Sequence, residues 1–375
     1  MLATNADQPR WCATCLTMST RPRITFDELG RCNACVWVEK KKTLNWEVRG
    51  QELKDLLNRH RRSSGDFDCI VPCSGGKDGS YVAYSLKHKY GMNPLCVTVT
   101  PSLPLALGNQ NLRAFIESGY DHISINADYE AMRVLNKSGL VEMGFPYYGW
   151  LIAIHTAVLR VATNFKVSLV FYGEDGEVEY GGSSETSKKP EYDARYQKKV
   201  YLEGGYEKVI EASKLQDRQL NFFRFPSDDD LESNPVQLVH WSYFENWDPY
   251  RNYLVAKEQC GLKEAEDSNA GTFTNFAQND QALYALHTYL MYLKFGFGRA
   301  NQDASIEIRR GAMDRDQAVN LVRLYDGQYP DEYIASYLDY YKMSESEFDA
   351  VLDRFANRNL FTKVDGRWQP NFRVT

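Results

Sequence analysis

No stretch of this chain is apolar for long enough to cross a bilayer. Even the run from Trp150 to Ile154 is stopped by His155 and Arg160, far short of the roughly 20 apolar residues a spanning helix needs. Met1 to Arg10 lacks the apolar core of a signal peptide, so the sequence reads as cytoplasmic. An excess of positive charge is also missing. Against 44 Lys and Arg stand 50 Asp and Glu, a net charge of −6; that denies nucleic acid an overall basic footprint and leaves it only a local groove. There is no internal repeat and no low-complexity tract. What remains is ordinary globular material, 43% hydrophobic and 25% charged over 375 residues. That length has room for a full α/β domain and one or two smaller units.

Cysteine is not scarce, but its spacing argues against disulfides. Four of the eight form Cys12-x-x-Cys15 and Cys32-x-x-Cys35, sixteen residues apart, the four-thiolate pattern of a zinc ribbon. With four thiolates no position stays open for water, so Zn²⁺ here would be structural. The alternative is two chance pairs or a redox couple. Cys69 and Cys96 lie in apolar runs and read as core, whereas Cys73 is either a reactive thiol or a small packing residue.

Two common nucleotide signatures are absent, the Gly-x4-Gly-Lys-Ser/Thr loop and Gly-x-Gly-x-x-Gly. In their place is Ser74-Gly75-Gly76-Lys77-Asp78-Gly79-Ser80, between the apolar run Phe67–Pro72 and a helix-like run from Ser80 to Tyr90. A strand that ends in a Gly-rich turn and opens a helix can cradle phosphate through backbone N–H groups and the helix N-terminus. A tight bend with no ligand is the other reading.

After a polar helix over 46–62, strands are expected at 67–72, 94–100, 122–126 and 167–172. Helices are expected at 109–118, near 129–135 and at 148–164. This alternation implies a doubly wound parallel sheet. In such sheets ligands sit beyond the carboxyl ends of strands where strand order reverses. Glu174 and Asp175, with Glu177 and Glu179, follow the fourth strand. Beside phosphate they would need a hard cation, which implies Mg²⁺ with Asp78, Glu174 and Asp175 as ligands; otherwise they are a solvated acidic loop. Residues 181–197 read as a loop, either a lid or a surface excursion. The later chain looks helical at 282–293, 314–323 and 330–341, with an extended piece at 236–244. Lys294 and Arg299 flank Phe295-Gly296-Phe297-Gly298. They read either as cations for pyrophosphate or as an ordinary helix end with its glycine stop. Tyr147, Tyr148 and Trp150 could stack on a base or simply pack.

The expected organisation is a ribbon over 1–45, a linker helix over 46–65, a nucleotide domain over 66–200 and a mostly helical region over 201–375. The Ser-Gly-Gly-Lys-Asp loop resembles that of the N-type ATP pyrophosphatases (PP-loop, HUP-like). With the ribbon, the segment Tyr172 to Gly182 and Lys294 to Ala300, nearly the whole chain resembles the N-acetyl sugar amidotransferases of surface-polysaccharide and flagellin-glycan biosynthesis. That resemblance implies O-adenylation of an acetamido group on a nucleotide-linked sugar by ATP, then attack of ammonia to give an acetamidino group. It assigns the ATP phosphates to Ser74, Gly75, Gly76, Lys77, Asp78 and Ser80, with Lys294 and Arg299. Asp78, Lys77, Glu174 and Asp175 would carry catalysis. Gly79 stands where many members of the wider superfamily have serine. No glutaminase module is visible, which implies a separate glutaminase and an ammonia-channelling, cyclase-like subunit resembling the imidazole glycerol phosphate synthase pair. The alternatives are a tRNA thiolation enzyme of the same superfamily and a non-catalytic scaffold.

Overall fold

The computed structural model describes residues 9–375. Residues 1–8, which open both the stretch read for a signal peptide and the expected ribbon, lie outside the described residues. At the centre is a six-stranded sheet. Its strands are β1 (Cys69–Pro72), β2 (Pro94–Val99), β3 (His122–Ile125), β4 (Leu169–Tyr172), β5 (Glu191–Tyr192) and β6 (Gln237–His240), in the order β3-β2-β1-β4-β6-β5. Every pairing is parallel except β5 with β6.

Side chains alternate between two cores along these strands. Ile70, Val97, Val170 and Leu238 pack against Ile152, Ala153 and Leu135 on one face. Cys69, Val71, Phe171 and Val239 pack on the other against Leu53, Leu56 and Leu57 of the Trp46–His60 helix. Burial on both faces is why these strands read as unbroken apolar runs. The chain builds outward from β1 through β2 to β3, then returns to place β4 on the other side of β1, Ile70 opposite Val170. Strand order reverses there, and the loops after β1 and β4 share one crevice.

The expected boundary at residue 200 cuts through this sheet. Strand β6 pairs with β4 along its whole length, and the Pro249–Cys260 helix packs against the helix that follows β1. That helix begins sooner than the expected Ser80, at Lys77, and closes through a π turn at Ser85–Lys89. The expected helix near 129–135 continues to Met143, where Gly144 at φ 61° ends it. Residues 181–197 are tied down rather than loose: Asn33 Nδ2 donates to the Gly182 carbonyl at 3.0 Å, Thr186 bonds Asp175, and β5 joins the sheet edge.

The C-terminal region is helical, with a small hairpin at Phe361–Val364 and Arg367–Pro370. It shares the core of the sheet: Leu283, Leu286, Leu290 and Leu293 of the Leu283–Phe295 helix belong to the same buried cluster as Ile70 and Val97. Among the described residues no helix is long and apolar enough to cross a membrane.

Candidate active site

The loop after β1 depends on two glycines. Gly75 has φ +78°, and a Cβ there would lie 2.5 Å from the Leu112 backbone nitrogen. Gly79 meets the strand it follows; its Cβ would lie 2.9 Å from the Pro72 carbonyl oxygen. This close approach leaves no room for a side chain at position 79. Ser74, Gly76, Lys77 and Asp78 line a cleft of about 360 Å³ at the carboxyl end of the sheet. Ser80 does not line it: its side chain is fully buried, 3.8 Å from the Cys73 sulfur. Its expected phosphate contact is replaced by packing under the loop.

The acidic segment after β4 divides by direction. Glu174 lines the cleft and accepts hydrogen bonds from Tyr180 Oη at 2.5 Å and Trp247 Nε1 at 3.0 Å. Burial, and then the neighbouring Asp78 charge, push its carboxyl above the ordinary value. Asp175 turns the other way. It caps the Gly176–Tyr180 helix by accepting from the Glu177 and Val178 backbone, and Thr186 bonds its other oxygen. Burial raises it to about 6. It is thus a helix cap, not a partner of Asp78 in holding Mg²⁺. Glu177 and Glu179 also turn away from the cleft. Arg23 bonds Glu177 twice at 2.7 Å, while Glu179 accepts from Lys41 at 2.7 Å and Trp37 at 2.9 Å. Both carboxylates bind the ribbon and its Asn33–Lys41 helix to the sheet.

Asp78 and Glu174 remain as the pair that fits a hard cation next to phosphate. Asp78 Oδ1 accepts from Asn252 at 3.1 Å, and Lys77 bonds its other oxygen. Burial works against the Lys77 charge, but Asp78 and Glu174 outweigh it and hold the ammonium pKa above its usual value. Arg299 enters the same cleft from the start of the Arg299–Arg310 helix and pairs with Asp303 at 2.8 Å. Lys294 does not. Its Nζ donates to the Met143 carbonyl at 3.0 Å and lies in another cavity, so of the two expected cations only Arg299 reaches the loop.

Sequence reasoning missed Asp280, Tyr284 and Asn252. Asn279 and Asp280 press on the start of the Ala106–Glu117 helix, and a Cβ on Gly108 would lie 2.4 Å from the Asp280 Cα. Burial raises the Asp280 carboxyl to about 6, opposed by its own backbone N–H and by bonds from Tyr284 and Ser74. Nothing local marks Asp280, because the phosphate loop it joins lies far back in the chain. Tyr147 and Tyr284 complete the wall, while Tyr148 is buried in the core and bonds the Leu202 carbonyl.

The four ribbon cysteines are buried, with sulfurs all within 4.8 Å of one another. The Cys12–Cys35 and Cys15–Cys32 sulfur separations, 3.7 and 3.6 Å, are close to the tetrahedral edge set by a Zn–S bond of about 2.3 Å. The cluster is consistent with a zinc ribbon.

Residues 270–373 match the family model of the C-terminal domain of WbpG-like lipopolysaccharide biosynthesis proteins. Arg299 lies inside that match. An uncharacterized protein of Methanocaldococcus jannaschii, MJ1599, is 33% identical over 89 residues, 24% of this chain. The chain spans 32% of the length of that curated relative. A solved structure described as the predicted subunit of a tRNA methyltransferase from the same organism aligns at 14% identity and a TM-score of 0.27. That alignment covers 64% of this chain and 90% of the other.

Proposed function

We propose that this protein is an AMP-forming, ATP-dependent amidotransferase that converts an acetamido group of a nucleotide-linked sugar to an acetamidino group. The observation that carries this reading is the convergence of the 74–79 loop, Glu174 and Arg299 on one cleft at the strand-order reversal. The sugar substrate draws support from the match of residues 270–373 to a lipopolysaccharide-biosynthesis domain.

An amide carbonyl is a poor electrophile and its oxygen a poor leaving group. Attack of that oxygen on the α-phosphorus of ATP breaks the bond to the β-phosphate, releases pyrophosphate and leaves an O-adenylated imidate. Ammonia then adds to the carbon and AMP departs with the original oxygen. Lys77 and Arg299 would stabilise the charge that grows on pyrophosphate. Asp78 and Glu174 would hold Mg²⁺, which when bound neutralises phosphate charge. Ammonia would come from a separate glutaminase through a cyclase-like subunit.

The test is formation of AMP and pyrophosphate from ATP with UDP- or CMP-linked acetamido sugars and ammonium. Release that requires the sugar is expected; release that requires tRNA, or ADP in place of AMP, would overturn the proposal. The thiolation alternative calls for a thiolate at the cleft. Cys73 is the cysteine that lines it, and burial pushes its thiol up to about 12.

A further inference from the structure

The phosphate cleft does not end at its cations. Lys77, Glu174 and Arg299 also line a second cavity of about 100 Å³ that continues from it. Three distant parts of the chain wall this cavity. The ribbon supplies Thr17 and Arg21, the Arg299–Arg310 helix supplies Gln302 and Arg309, and Tyr250 and Phe276 close the remaining side. Arg21 and Gln302 then open onto a third cavity of about 170 Å³.

Arg21 differs from the other cations of the second cavity. Arg299 is held by Asp303, Lys77 by Asp78, and Arg309 lies 3.6 Å from the Cys15 sulfur. Arg21 Nε is sealed from solvent without an acceptor, and among the described residues its guanidinium makes no hydrogen bond to protein. The Phe297 ring lies 6.0 Å away and offers only its face. Glu177, the acidic group that favours the Arg21 charge, is already engaged by Arg23 and by the Ser183 N–H, while Arg309 and Arg23 oppose that charge. A half-buried cation among cations, with its Nε cut off from both water and acceptor, lowers stability unless something else completes it. A planar guanidinium suits two phosphate oxygens at once.

We propose that Arg21 anchors the phosphate-bearing arm of the acceptor, a nucleoside diphosphate, in this second cavity. The sugar end of the acceptor would then extend to the Lys77–Glu174–Arg299 junction, where the two cavities meet. The identity of the acceptor rests on the amidotransferase reading; the existence of a diphosphate site separate from the ATP cleft does not.

The experiment uses the full chain saturated with α,β-methylene-ATP, whose carbon bridge blocks cleavage, and titrates UDP by calorimetry with uridine as the uncharged control. UDP should bind alongside the analogue and uridine should not. Arg21→Gln should weaken UDP by at least about tenfold, the weight of a lost charged hydrogen-bond pair, with analogue affinity within about twofold. Arg21→Lys keeps the charge but loses the fork, so it should fall between the two, and it serves if the glutamine variant folds poorly. Displacement of UDP by the analogue, no binding of UDP by the unaltered protein, or unchanged UDP affinity in either variant would overturn the anchor. If UDP is held through Arg21 while acetamido sugars never trigger pyrophosphate release, the anchor stands and the amidotransferase reading fails.

Discussion

Glu174 and Asp175 are neighbours in sequence and carry the same charge, yet only one reaches the cleft. At the end of an extended strand successive side chains point to opposite sides. Glu174 therefore faces Asp78 and Lys77, and Asp175 turns to cap the short helix that follows. Composition showed that carboxylates gather here; only the backbone direction separates a site residue from a cap. The pair makes a controlled comparison. Glu174→Gln can keep its contacts with Tyr180 and Trp247, so melting should change little, while AMP formation falls by at least ~10²-fold. Asp175→Ala should cost about 1 kcal/mol of stability as a lost cap and leave turnover within a few-fold. Equal losses of turnover in the two variants would show that the division is wrong.

Elements were legible where one stretch of sequence settles its own burial. β2 and the Tyr148–Asn164 helix are apolar along their length because neighbouring layers cover them, and both fall where that pattern puts them. The Arg299–Arg310 helix was not legible, for a physical reason. Its N-cap is Gly298, which has no side chain to cap with; the carboxylate of Asp326, from a later loop, accepts from Gly298 N at 2.8 Å and Asn301 N at 3.2 Å instead. A cap supplied from a distance leaves no local signature. Burial raises the Asp326 carboxyl from 3.8 to about 7, against the pull of those N–H groups. Between about pH 4 and pH 7 the folded protein therefore binds a proton the unfolded chain gives up, and this group's contribution to stability falls as pH rises. Asp326→Asn should flatten the slope of melting temperature against pH across that window; an unaltered slope would contradict the assignment. The helix after β1 offers a second test at this scale. Gly79→Ser would force a Cβ to 2.9 Å from the Pro72 carbonyl, and should destabilise by about 1–3 kcal/mol.

Across the whole molecule, the ribbon is coupled to the site through the helix that carries Arg299. Asn301 of that helix donates to the Leu16 carbonyl at 2.9 Å, and its Ser305 hydroxyl accepts from the Leu16 N–H at 3.2 Å. Arg315, on the next helix, donates to the Cys12 carbonyl at 2.9 Å and also bonds that of Cys15. Leu16 itself packs with Ala304, Ala318 and Val322. Thr17, two residues after Cys15, is thus part of one wall of the cavity next to the cleft, and the four sulfurs within 4.8 Å of one another lie directly behind it. Structural zinc in small peptides contributes on the order of 10 kcal/mol to folding, so its loss here should not remain local. Atomic spectroscopy should find one zinc per chain. Slow removal by a chelator should lower the melting temperature and AMP formation together, and binding of α,β-methylene-ATP should weaken because Arg299 loses its support. Re-addition of zinc should restore all three. A zinc-free protein that melts and turns over as before would mean that the cysteines neither hold a structural metal nor position the helix behind the cleft.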